Sequence, residues 1–202
     1  MTRVQIALGT AAACLLATVV ALYAARGDGT PSRPAGAFAG ALRPPGMSPA
    51  RFALRDQDGH VVTAASLRGR PAVVSFLYTR CRDTCPLVAD QVRGALDQLG
   101  RRAVPYLAVS VDPAGDTPES ARAFLLRHGL TGRARFLVGP RAELAAVWRQ
   151  FGVRPQRVVN ARRDDHTPST VVLDARGVQR VGFLASQITP EDVAHDVRAL
   201  WR

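Results

Sequence analysis

Two cysteines, Cys81 and Cys85, stand four residues apart in the stretch Tyr78-Thr79-Arg80-Cys81-Arg82-Asp83-Thr84-Cys85-Pro86. Thiols at that spacing can exchange with a disulfide or serve together as soft metal ligands. The apolar run Val73-Val74-Ser75-Phe76-Leu77 before them is rich in strand formers, and Pro86 opens a helical pattern that reaches Leu99 and stops at Gly100. The pattern predicts Cys85 at or next to the helix N-cap, where unpaired amides and the helix dipole favour a thiolate. Arg80 and Arg82 push the same way, and Asp83 opposes them. One short loop separates the sulfurs, so they can form a Cys81–Cys85 disulfide when oxidised or share a metal when reduced.

The chain has three cysteines, and the third, Cys14, falls in an apolar N-terminal run as a small apolar residue. Two thiols are too few for a disulfide framework. Zinc asks for about four ligands, and two cysteines with scattered histidines show no zinc pattern. Copper(I) is soft and is satisfied by two thiolates and an imidazole. His60 beside a hairpin turn, His128 at a helix end and His195 in the last helix read as solvated or helix-end residues. His166 ends a polar loop just before the apolar strand from Thr170. Strand ends at one edge of such a sheet converge on a crevice, so His166 is expected as a ligand or an acid–base group there.

The elements that must position these residues follow in order. Phe52 to Leu54 and Val61-Val62 flank an Asp58-Gly59 turn as a hairpin, and Ser66 to Pro71 turns into the strand Ala72 to Tyr78. After the cysteine loop and its helix come a strand, Val104 to Val111, and a helix capped by Thr117 with Pro118 first, ending near His128. Phe136 to Val138 is a short strand. Arg141 to Phe151 is a helix with Leu144, Val147 and Trp148 on one face. Gly152 to Thr167 reads as an inserted polar loop. Thr170 to Leu173 and Val178 to Phe183 flank the turn at Asp174 to Gly177, and a last helix starts at Thr189-Pro190-Glu191. Strands alternating with helices, then a hairpin and a helix, imply an α/β domain with a mixed central sheet flanked by helices.

The 202 residues suit one domain with appendages, and 47% hydrophobic content can fill a core. The net charge of +11 rests entirely on 27 arginines, since the chain contains no lysine. With few aromatics and no basic stripe, nucleic-acid binding is not expected. A basic surface facing anionic lipid or an acidic protein partner is the better reading. Val4 to Ala25 is apolar and long enough to span a bilayer as a single membrane helix, with a cleaved signal as the rival. Residues 27–49, rich in Gly, Pro, Ala and Ser, read as a flexible tether, and the folded domain is expected over 50–202. That arrangement is a single-pass anchor in residues 1–26 holding the domain on the extracytoplasmic, periplasmic side of the cell membrane.

The cysteine segment, then Val111-Asp112-Pro113 with Asp116-Thr117-Pro118-Glu119, then Asp165-His166, together resemble the Sco/SenC family. The likeness extends over roughly Phe52 to Arg202. It implies a membrane-tethered, thioredoxin-like copper chaperone acting in assembly of the dinuclear copper centre of cytochrome c oxidase. Copper would be held by Cys81, Cys85 and His166 and passed to the copper-binding oxidase subunit, with other copper carriers as further partners. Asp112 and Asp116 match the family's acidic block, and turn and helix capping is the simpler role for them than ligation. One departure is Pro168, at the place where thiol-disulfide oxidoreductases of the thioredoxin superfamily hold a cis-proline opposite their cysteines. It favours an alternative, a thiol-disulfide reductase that keeps the oxidase's copper-ligating cysteines reduced, with Cys81 and Cys85 as catalytic thiols. Whether the chain is an enzyme is therefore left open by its sequence. A peroxidase is a distant third, because no threonine and arginine setting for a peroxidatic cysteine can be placed.

Overall fold

In the computed structural model, residues 18, 37–100, 102–154 and 169–201 are described. The expected span Val4 to Ala25, apart from Thr18, lies outside them, as do Cys14, Asp165, His166 and Pro168. No helix among the described residues is long and apolar enough to cross a membrane. The chain divides into residues 1–37 and a unit from Phe38 to Arg202, which holds the fold described below.

Eight strands form one mixed sheet: β1 (Ala41–Leu42), β2 (Ala53–Asp56), β3 (Val61–Thr63), β4 (Ala72–Leu77), β5 (Tyr106–Ser110), β6 (Ala134–Val138), β7 (Ser169–Leu173) and β8 (Gln179–Leu184). Their order across the sheet is β1-β8-β7-β4-β5-β6-β2-β3. Among the described residues of this unit the α-helices are α1 (Thr84–Leu99), α2 (Pro118–Arg127), α3 (Arg141–Phe151) and α4 (Pro190–Ala199). A 3-10 turn at Ala64–Leu67, capped by the Thr63 hydroxyl, replaces part of the expected turn before β4.

β4, β5 and β6 run parallel, with Ser75 opposite Ala108 and Ala108 opposite Phe136. Parallel neighbours need crossover helices, and α1 and α2 supply them. β4 is buried along its whole length, which explains its unbroken apolar run rather than an alternating one. Residues in register share a face, so Phe136, packed edge-on against Phe124 of α2, lies on the Ser75 face. Phe76 points to the other face and meets Phe151 of α3 at 5.1 Å between ring centroids. Helices α2 and α3 therefore cover opposite faces of the sheet.

Two consequences position the site. The carboxyl ends of β4 and β5 lie side by side, so the loop after Leu77 meets the loop after Ser110. β7 runs antiparallel to β4, with Thr170 opposite Ser75, so the chain enters β7 at Ser169 along that same edge.

At the other end of the sheet order, Ala41 and Leu42 pair with Gly182 and Val181 of β8. Residues expected in the tether thus contribute an edge strand. The buried Asp196 carboxylate of α4 fastens it, accepting from the backbone N–H of Ala39 at 2.7 Å and of Gly40 at 3.0 Å. A side chain at Gly40 would collide with Val181, Gly182 and Phe183, so glycine is required there.

Candidate functional site

Helix α1 begins two residues earlier than Pro86 suggested, with Thr84 first and Asp83 as N-cap. The first-turn amides of a helix have no intrahelical partner, so proline at the third position removes no hydrogen bond. Cys85 is consequently the second helical residue, not the cap, and is fully buried. The Asp83 side chain makes no capping bond. A thiol does part of that work instead: Cys81 Sγ accepts the Cys85 backbone N–H at 3.3 Å. The Thr84 hydroxyl lies 3.8 Å from the same sulfur.

The donors of this first turn converge on Cys81, one turn before Cys85. The Cys85 thiol, then the backbone N–H groups of Asp83 and Cys85 and the Thr84 hydroxyl, stabilise the Cys81 thiolate. Burial opposes them and loses, and the Cys81 pKa falls to about 5. At neutral pH the site holds a preformed sulfur anion on a helix N-terminus. Neither cysteine is in a disulfide. Two neighbouring reduced thiols, one ionised, can bind a soft cation or attack a disulfide.

The acidic block does more than cap. α2 is capped by Thr117 and Ser120 in a reciprocal box. Asp116 instead reaches back to the cysteine loop: its Oδ1 accepts from the Thr79 backbone N–H and hydroxyl, each at 2.8 Å. Its Oδ2 accepts from the Ser110 hydroxyl. Burial pushes the Asp116 carboxyl up from the usual range, against the pull of those donors. Asp112 takes Arg80 Nη2 at 2.7 Å and the Gly115 N–H at 3.1 Å. A Cβ on Gly115 would overlap both the Arg80 guanidinium and the Asp112 carboxylate. Trp148 Nε1 donates to Ser110 O at 2.9 Å and anchors the end of β5 to α3. The Asp112–Asp116 loop is thus a bracket for the cysteine loop. Adjacency of two parallel strand ends was the signal for this, and it lies in topology rather than in any local motif.

Cys81 also borders a cleft of about 390 Å³. Arg80, Arg82, Phe124, Arg127 and His128 line it with the sulfur. His128, read from sequence as a helix-end residue, caps α2, packs on Phe124 and sets Nδ1 3.0 Å from Asp90 of α1. Among the described residues, the one His/Cys/Asp/Glu cluster of metal-binding compactness is Asp56, Asp58 and His60, at the β2–β3 turn far along the sheet order. Arg135 and Arg122 already pair with its carboxylates. The described residues therefore bring Cys81 and Cys85 together and add no third metal ligand to them. His166 lies outside the described residues, three positions before Ser169 opens β7.

Comparison with known proteins agrees with this architecture. The SCO1/SenC family profile matches residues 42–202. An SCO2-like protein of Rickettsia prowazekii is 27% identical over 133 residues, covering 62% of this chain and 64% of the relative. The chain thus spans less than two thirds of that curated relative's length. Among solved structures, copper-bound ScoI of Bradyrhizobium japonicum is 30% identical with a TM-score of 0.61, covering 75% of this chain and 98% of that one. Apo Sco1 of Thermus thermophilus is 26% identical with a TM-score of 0.69, covering 81% and 97%. The fold is the thioredoxin-like α/β fold of these proteins, a central sheet flanked by helices, and the chain belongs to the SCO1/SenC family.

Proposed function

We propose that this protein carries copper(I) on Cys81 and Cys85, with His166 as third ligand, and delivers it to the dinuclear copper site of cytochrome c oxidase. The observation that carries this reading is the reduced Cys81–Cys85 pair at the start of α1, where Cys81 Sγ accepts the Cys85 backbone N–H. A soft monovalent cation neutralises the Cys81 thiolate without first displacing its proton. Entry of the chain into β7 at the cysteine-loop edge supports His166, and Asp165 is suited to orient its second ring nitrogen. The family likeness to a copper-bound structure 30% identical to this chain supports the cargo. In the full chain, residues 4–25 serve as the anchor and keep the domain at the outer face of the cell membrane, beside the oxidase.

The test is copper(I) titration of the reduced chain against a competing chelator. Cys81→Ser and Cys85→Ser are each expected to abolish tight binding, and His166→Ala to weaken it. Full affinity in both cysteine variants would overturn the reading.

The acidity of Cys81 favours a second activity at the same site, thiol-disulfide reduction. The Cys81 thiolate attacks a partner disulfide, forming a mixed disulfide and releasing one partner thiolate. The Cys85 thiol, deprotonated, then displaces the second, leaving Cys81–Cys85 oxidised and the partner with two thiols. Here His166→Ala is expected to spare the exchange, and Cys85→Ser to accumulate the mixed disulfide. Failure of that variant to trap any oxidase subunit would count against this activity and leave copper carriage standing.

A further inference from the structure

Of the two arginines beside Cys81, only one holds the loop. Arg80 is committed to Asp112. Arg82, on the other side of the sulfur, is exposed and forms no ion pair among the described residues. Arg127 is exposed in the last turn of α2 and likewise has no partner among the described residues. A cation in a last turn offsets the helix dipole, which accounts for Arg127 but not for Arg82, which lines the same cleft from the cysteine loop. His128 and Asp90 offset one another when the imidazole is charged, and Asp83 is the acidic residue of the cysteine loop itself. The cleft beside the reactive sulfur therefore has cationic rims, contributed by two elements that meet only in the fold, and an aromatic wall in Phe124.

We propose that this cleft is a docking site for an acidic segment of a protein partner. Its carboxylates engage Arg82 and Arg127 while a neighbouring cysteine or other soft ligand reaches Cys81. The inference rests on the proposal that cargo or electrons pass to a protein at Cys81, and it adds the chemistry of that protein's approaching surface. Complementary charge selects the occupant: a protein of net charge +11 meets an acidic partner faster, and two guanidiniums with no ion pair among the described residues orient it at the cleft. About 390 Å³ is at the small end of ligand pockets of roughly 300–1,000 Å³, enough for a few side chains of a peptide rather than a large cofactor.

The test uses the full reduced chain and two fluorescent peptides that differ only in carrying three glutamates or three glutamines beside a single cysteine. Anisotropy titration is expected to show the glutamate peptide binding about tenfold more tightly at low salt, the preference fading as salt screens it. Arg82→Glu with Arg127→Glu is expected to remove the preference while copper(I) stoichiometry stays as in the unmodified chain. Arg68→Glu with Arg70→Glu, at the opposite end of β4, changes net charge equally and is expected to keep it. Equal binding of the two peptides overturns the proposal. So does equal loss in both double variants, which would reduce the effect to overall charge. Loss of copper(I) in the Arg82/Arg127 variant without any peptide present would also overturn it, because the arginines would then serve the metal site itself. If the unmodified chain binds no copper(I) yet keeps the peptide preference, the cargo is wrong and the docking site stands.

Discussion

Cys81 is an acid of about pKa 5 because a helix start, a second thiol and a threonine hydroxyl all face one sulfur. Its alkylation by iodoacetamide is expected to rise with a midpoint near pH 5, and in Cys85→Ala the midpoint is expected to move up because the leading donor is gone. A folded-state value depressed below the ordinary 9.0 stabilises the reduced fold fully above pH 9, and that stabilisation is lost as pH falls towards 5. Thermal unfolding of the reduced chain is expected to show that slope, on the order of a few kcal/mol at most, and Cys81→Ala to flatten it. Asp116→Ala strands the Thr79 N–H and is expected to cost about 1–3 kcal/mol by denaturant unfolding. Asp116→Asn is expected to cost less, since an amide keeps an acceptor and carries no buried charge. The thiol pair could be read from sequence because its spacing is local. That the donors converge on Cys81 could not, because that depends on where α1 starts, and Pro86 fits any position of a first turn. Asp116 was legible as an acidic residue near a cap, but its partners, Thr79 and Ser110, are set by strand register.

The elements themselves were written locally. Thr117, Pro118 and Glu119 announced α2, and the capping box with Ser120 bears that out. Thr117→Ala is expected to cost about 1 kcal/mol of stability, read by thermal unfolding. α3, from Arg141 to Phe151, follows its apolar face of Leu144, Val147 and Trp148, and the two hairpins follow their turn residues. β1 shows what periodicity misses. Ala41-Leu42 lies in a Gly- and Pro-rich stretch, is two residues long, and is a strand only because β8 offers an edge and Asp196 offers acceptors. Asp196→Ala is expected to raise hydrogen exchange at Ala39 and Gly40 while leaving the Cys81 thiol pKa unchanged. Retained protection at those two amides would show that β1 is held without the carboxylate.

At the scale of the molecule, parallel β4 and β5 bring two loops together, and antiparallel β7 returns the chain to the same edge. One loop carries the sulfurs and the other braces them through Asp112 and Asp116. Arg82 and Arg127 line the cleft that Cys81 borders. On the proposed function, the reduced thiol pair is a copper(I) site. The most direct measurement is the stoichiometry of tightly held copper(I) on the full chain, with the cysteines reduced and again with Cys81 and Cys85 oxidised to a disulfide. One copper per chain is expected in the reduced protein and none in the oxidised. Equal copper in both states, or none in the reduced protein, would contradict the proposed function.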